Sequence, residues 1–136
     1  MPAWFVLSPE ARGTDGEVTR GARVKLASAL AELCIGGGTI AVRSSALDED
    51  GAQLSYAGQL ESHLFVAYAD VADRAAAVWR SAASGRVRAY REQHGRPPQT
   101  ARTAVLIQRM IDADVAGVAF SADPVSGRRS VAVVAA

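Results

Sequence analysis

The apolar positions of this chain fall into short continuous runs and two longer stripes of helical period. Trp4 to Leu7 is apolar and bounded by Pro9, which predicts a strand. From Glu17 to Leu33, residues Val18, Ala22, Leu26, Leu30 and Leu33 form one stripe of an amphipathic helix. Arg20, Arg23 and Lys25 fall on its wetter faces. The glycines Gly36 to Gly38 end it, because glycine readily takes the left-handed conformation of a helix C-terminus. Thr39 to Val42 and His63 to Val66 then read as strands. Asp70 is placed to cap a second helix, with Val71, Ala75, Val78, Trp79 and Ala82 as its apolar stripe. Ser84 and Gly85 kink or break that helix before Arg86 to His94, and Gly95, Pro97 and Pro98 make a turn. Three further strands are expected, at Thr103 to Gln108, Val115 to Ser121 and Ser130 to Val134. Asp112 to Asp114 form a tight connection, and Asp123, Pro124, Ser126 and Gly127 a turn. This order suits α+β or α/β. We take α+β, with a mixed or antiparallel sheet, two main helices and a hairpin series near the C-terminus.

Composition narrows the function classes. A chain of 136 residues, 49% hydrophobic, is long enough for one globular domain with a modest core. A formal net charge of +1 gives no general attraction to nucleic acid or to a membrane surface, so neither partner is expected. Cys34 is the only cysteine, which excludes an internal disulfide and points to a reducing, cytoplasmic compartment. No apolar run approaches the ~20 residues of a membrane helix, and the first residues carry no basic segment of a secretory signal. The chain opens and closes inside strand-like runs, so we expect it to be a piece of something larger, truncated at both ends.

The most polar stretch, Ala41 to Ser62, lies directly between two strand-like runs. Arg43 offers a planar, permanently charged fork that matches phosphate oxygens. The Ser44 and Ser45 hydroxyls, with exposed N–H groups, can complete a nest for an anion. The alternative is a strand-end arginine paired with Asp48 or Glu49 in a surface loop, and the tripeptide alone leaves both open. Small residues around Gly58 and Gln59 suit close backbone approach or a moving cover, and equally an ordinary turn. Further on, Gln108, Arg109, Met110 and Ile111 leave a strand whose backbone can meet a purine edge. The competing reading is a plain hairpin with Met110 in the core. His63, His94 and Cys34 form no metal-binding spacing, and no metal ligand is assigned.

Taken together, VRSSALDED, SYAGQ, QRM and GVAFSADPVSG stand in the order and rough spacing of one known family. The chain resembles the N-terminal ATP-binding domain of phosphoenolpyruvate synthase and pyruvate phosphate dikinase, which rifampicin phosphotransferases share. PAWFVLSPEA is similar to an early segment of that domain, and residues 11–38 match least. The resemblance implies an ATP-grasp-like fold, with residues 1–136 as a partial ATP-binding domain. It also implies a reaction. ATP, with Mg²⁺, gives its β-phosphoryl to a histidine on a swivelling domain, which passes it to pyruvate on a third domain. Both of those domains are expected on the complete chain. On this chain the resemblance implies that Arg43 holds the phosphates, as the one catalytic candidate, with Ser44 and Ser45 supporting it. Gly58 and Gln59 belong to a phosphate cover, and Gln108, Arg109, Met110 and Ile111 to the adenine hinge. Asp123 and Pro124 shape a turn. The family's phosphate-binding lysine precedes the matched segments, and Lys25 does not correspond to it. Phosphotransfer to an antibiotic, or a degenerate non-catalytic module, are the alternatives.

Overall fold

The computed structural model describes residues 2–46, 61–84, 89, 103–123, 125–130 and 132–135. Four strands form an antiparallel sheet in the order β1-β4-β2-β3: β1 Trp4–Leu7, β2 Ile40–Ala46, β3 Ser62–Val66 and β4 Thr103–Arg109. Two helices, α1 Arg20–Leu33 and α2 Val71–Ala82, pack on one face. A separate hairpin joins β5 Val118–Phe120 to β6 Val133–Ala135. The architecture is α+β with an antiparallel sheet.

The core is where the two apolar periods meet. Strand residues of one parity face the helices: Ile40 and Val42 on β2, and Val105 and Ile107 on β4, all fully buried. Leu26, Leu30 and Leu33 of α1, and Val71, Ala75, Val78 and Trp79 of α2, close over the same cluster. Trp79 is the largest of these residues. It also satisfies its ring N–H, which donates to the Thr103 carbonyl at 2.9 Å and ties α2 to the start of β4. The predicted stripes are the buried faces of both helices.

Several boundaries move, each for a local reason. The first helix starts at Arg20 rather than Glu17, because Thr19 takes the N-cap and its hydroxyl accepts the Ala22 N–H. Val18 is held instead in an isolated bridge to Arg12. Glu17 binds both helices, with its carboxylate 2.9 Å from Arg80 and 3.6 Å from Arg23. Asp70 does not cap α2 with its side chain. A single 3₁₀ turn, Tyr68–Asp70, leads straight into the helix and leaves Asp70 in helical conformation (φ −92°, ψ −6°). Tyr68 in that turn donates its hydroxyl to the Ala27 carbonyl at 2.7 Å, linking the two helices. Cys34 is half-buried at the C-cap of α1, and Gly36, Gly37 and Gly38 all have positive φ, as a left-handed exit requires.

The expected hairpin between the strands at 103–108 and 115–121 does not form. β4 is already paired on both sides, by β1 and β2, and β5 is shorter and pairs with β6. The expected helix at 86–94 and the turn at 95–98 lie outside the described residues.

Candidate functional site

Arg43, Ser44 and Ser45 are not loop residues. β2 continues through them to Ala46, because β4 supplies partners all along: Arg43 opposite Leu106, Ser44 opposite Val105 and Ser45 opposite Ala104. Alternation then sorts the three. Ser44 shares the parity of Ile40 and Val42 and is half-buried on the helix side. Arg43 and Ser45 stand exposed on the face turned away from the helices.

The same register sorts the other candidate strand end. Gln108 is opposite Ala41 and belongs to the face of Arg43, as a diagonal neighbour across the strand pair. Such positions lie roughly 7–8 Å apart, within reach of two long side chains. Arg109 has the parity of Ile107 and points to the helix side. There its guanidinium lies against the glycine turn: a Cβ added at Gly38 would come within 3.7 Å of Arg109 Nε. Met110 is half-buried just past the strand, and Ile111 is 60% exposed. The structure therefore brings Arg43, Ser45 and Gln108 to one face and sets Ser44 and Arg109 on the other. Gly58, Gln59 and Pro124 lie outside the described residues.

Backbone groups near the proposed hinge are partly committed. The Arg109 N–H donates to the Ala3 carbonyl at 3.0 Å, and the Met110 N–H to the Thr39 carbonyl at 2.9 Å. Ile111 is the first residue beyond this pairing. Arg43 makes no ion pair among the described residues, so its charge on this face is uncompensated by any described carboxylate.

Trp4 and Val6 of β1 carry the same face onward. They stand opposite Gln108 and Leu106, and each is 46% exposed. At the other side, β3 bulges: Val66 pairs with Ile40 and His63 with Val42, leaving Leu64 and Phe65 against Ala41 alone. Both are exposed, and Phe65 is the one described non-glycine residue with positive φ, at 56°. Sequence reasoning gave no sign of this bulge, since HLFV reads as an unbroken strand.

Asp123 is bound up in its own turn. Its carboxylate accepts from the Ser126 hydroxyl and from the Val125 N–H at 2.9 Å, while its carbonyl accepts from the Gly127 N–H at 2.8 Å. The Ser126 hydrogen bond, followed by the Val125 one, holds its pKa below the ordinary value of 3.8. This is the geometry of a turn-forming aspartate. No group of three or more His, Cys, Asp or Glu side chains that could hold a metal ion stands among the described residues. Among them, no helix is long and apolar enough to cross a membrane.

The family model described as "Pyruvate phosphate dikinase, AMP/ATP-binding domain" matches residues 15–136. The chain belongs to this family. The match runs through α1, the stretch where the motifs are weakest. The chain is 41% identical over 95 residues to a rifampicin phosphotransferase of Streptomyces sviceus, covering 69% of this chain and 11% of that protein. It is 37% identical over 92 residues to a phosphoenolpyruvate synthase of Pyrococcus furiosus, covering 67% of this chain and 11% of that protein. A prodigiosin synthesizing transferase, PigC, of Serratia marcescens is 40% identical over 92 residues, with 67% and 10% covered. The chain thus aligns with about a tenth of the length of the curated relatives it matches.

Proposed function

We propose that this chain is the nucleotide-binding part of a larger cytoplasmic phosphotransferase, ATP-grasp-like in fold, and that ATP is received on the sheet face away from the helices. The observation that carries this reading is Arg43. It stands on an interior strand, exposed, on the same face as Gln108, with no described carboxylate to neutralise it. A guanidinium so placed is matched by a phosphate, and Ser45 on the same parity can add a hydroxyl. The strand exit then faces the base. With the Arg109 and Met110 N–H groups spent within the sheet, adenine contacts fall to the Ile111 backbone and the Gln108 side chain. Met110 offers an apolar, polarizable cover. Ser44 and Arg109 become supports, held on the helix side.

Mg²⁺ accompanies a bound nucleotide as a counter-charge to its phosphates. The described residues assemble no ligand set for it, and no step is assigned to it. The chain's own part is positioning and charge stabilisation of the phosphoryl group, and phosphoryl transfer depends chiefly on these. A swivelling domain with an acceptor histidine and a domain binding the final acceptor would complete the reaction. Pyruvate and a rifamycin are both candidate acceptors, since the names of relatives at similar identity point to each.

The test is calorimetry with MgATP on the longest natural product that contains this domain. Arg43→Ala should weaken binding by about 1.5–3 kcal/mol, the worth of a hydrogen bond to a charged group. Ser44→Ala, on the other side of the sheet, should change it much less. Unchanged affinity in Arg43→Ala removes Arg43 from the site. No saturable heat in the unaltered protein favours a degenerate module. Assays with pyruvate and with a rifamycin separate the two acceptors.

A further inference from the structure

Trp4 and Gln108 stand directly opposite each other at the end of the sheet where β4 exits. The Arg109 N–H donates to the Ala3 carbonyl, which makes Ala3 and Arg109 a bonded pair. Bonded and non-bonded pairs alternate along an antiparallel ladder, so Trp4–Gln108 is a non-bonded pair, the kind that holds its side chains closest. Both residues share the face of Arg43. The two indoles of the chain are treated differently. Trp79 is 2% exposed, and its ring N–H is bonded to the Thr103 carbonyl. Trp4 is 46% exposed, lies outside the core cluster, and has no described residue accepting its ring N–H.

We propose, building on Arg43 as the phosphate anchor, that Trp4 is the platform on which the adenine ring stacks, with the Gln108 amide reading the edge of the ring. An indole face holds any base by stacking. A glutamine amide offers a donor and an acceptor together, the combination that matches adenine N7 and its exocyclic amine. Set side by side on neighbouring strands, the indole grips the ring and the amide identifies it. The spacing suits a whole nucleotide. Trp4 and Arg43 lie two strand spacings and two residues apart, so with strands about 4.8 Å apart and a rise of about 3.4 Å, roughly 12 Å separates their Cα atoms. That is the scale of a nucleotide from its base to its outer phosphates. The register also sets the direction. Trp4, Gln108 and Ala41 form one row across the sheet, and Val6, Leu106 and Arg43 the next. The base then sits at the exit of β4, toward Ile111, and the phosphates run inward to Arg43 and Ser45. Neither row carries an acidic residue to oppose them.

Binding to the longest natural product that contains this domain tests this, with MgATP and magnesium tripolyphosphate as probes. Trp4→Ala should weaken MgATP by about tenfold or more, the worth of one stacked base, and leave tripolyphosphate as it was. Trp4→Phe should keep most of the MgATP affinity, since a phenyl ring still stacks. Arg43→Ala should weaken both probes. If Trp4→Ala binds MgATP as the unaltered protein does, while Arg43→Ala does not, the role of Trp4 is overturned and the phosphate site stands. A Trp4→Ala loss that falls equally on tripolyphosphate, or that Trp4→Phe shares in full, also overturns it, because the side chain then acts through the fold and not through the base. No saturable binding of MgATP by the unaltered protein removes the nucleotide site itself, and Trp4 with it.

Discussion

The bulge on β3 allows a sharp test of the backbone reasoning. Phe65 has φ 56°, a left-handed conformation that costs a residue with a Cβ about 1–2 kcal/mol. The side chain recovers little of this, because the residue is 69% exposed. Full burial of a phenylalanine is worth about 1.5–3 kcal/mol, so burial of under a third gives at most about 1 kcal/mol. Replacing Phe65 therefore exchanges two terms of similar size, and comparing two replacements separates them. Phe65→Ala loses the ring and keeps the backbone strain. Phe65→Asn loses the ring too, but asparagine tolerates the left-handed region. Phe65→Asn should thus be more stable than Phe65→Ala by about 0.5–1.5 kcal/mol, or several degrees in Tm. The same exchange at Leu64, whose φ is not positive, should show no such gain. Urea unfolding of the four variants, at a common slope, measures the differences. If Phe65→Asn is no more stable than Phe65→Ala, or if Leu64 responds equally, the strain argument is wrong.

Trp79→Phe removes the hydrogen bond to the Thr103 carbonyl and leaves a void in the core cluster. It should lower stability by about 1.5–3 kcal/mol, and a change under about 0.5 kcal/mol in urea unfolding would mean the core repacks around the smaller ring. The pKa of Asp123 is lowered in the folded chain, so its contribution to the turn is present above the ordinary value of 3.8 and is lost as pH falls through the lower folded value. An NMR titration of its carboxyl should give a midpoint below 3.8, and Ser126→Ala should move that midpoint up; an unmoved midpoint would refute the role of the hydroxyl.

What the sequence disclosed depended on how local the cause was. The stripes of α1 and α2 were legible because a helix fixes which residues share a face within a few positions, and every predicted stripe residue of α2 is buried. The entry of α2 was not legible. A 3₁₀ turn leaves Asp70 helical, and nothing in the residue types of Tyr68–Asp70 announces that turn. The hairpin expected after β4 failed for a reason further away: β1 and β2, from the first third of the chain, occupy both of its edges.

The candidate site shows the same division. Residue type alone singled out Arg43 and Gln108 as chemically interesting but ended the strand at Arg43, with a polar loop beginning there. Their juxtaposition follows from the register Ala41–Gln108 and Arg43–Leu106, a pairing across more than sixty residues of sequence that no local pattern encodes. The register also changes what the polarity of VRSSA means. In a loop, arginine and serines need no explanation, because water surrounds them. On an interior strand, a charged and a polar residue of one parity, Arg43 and Ser45, occupy positions that apolar side chains fill on the other face. The helix-side parity is apolar at Ile40 and Val42 and ends in the half-buried Ser44, while Arg43 and Ser45 stand exposed on the other face. An exposed guanidinium at the centre of a sheet, with no described carboxylate beside it, is what the proposed anionic ligand requires.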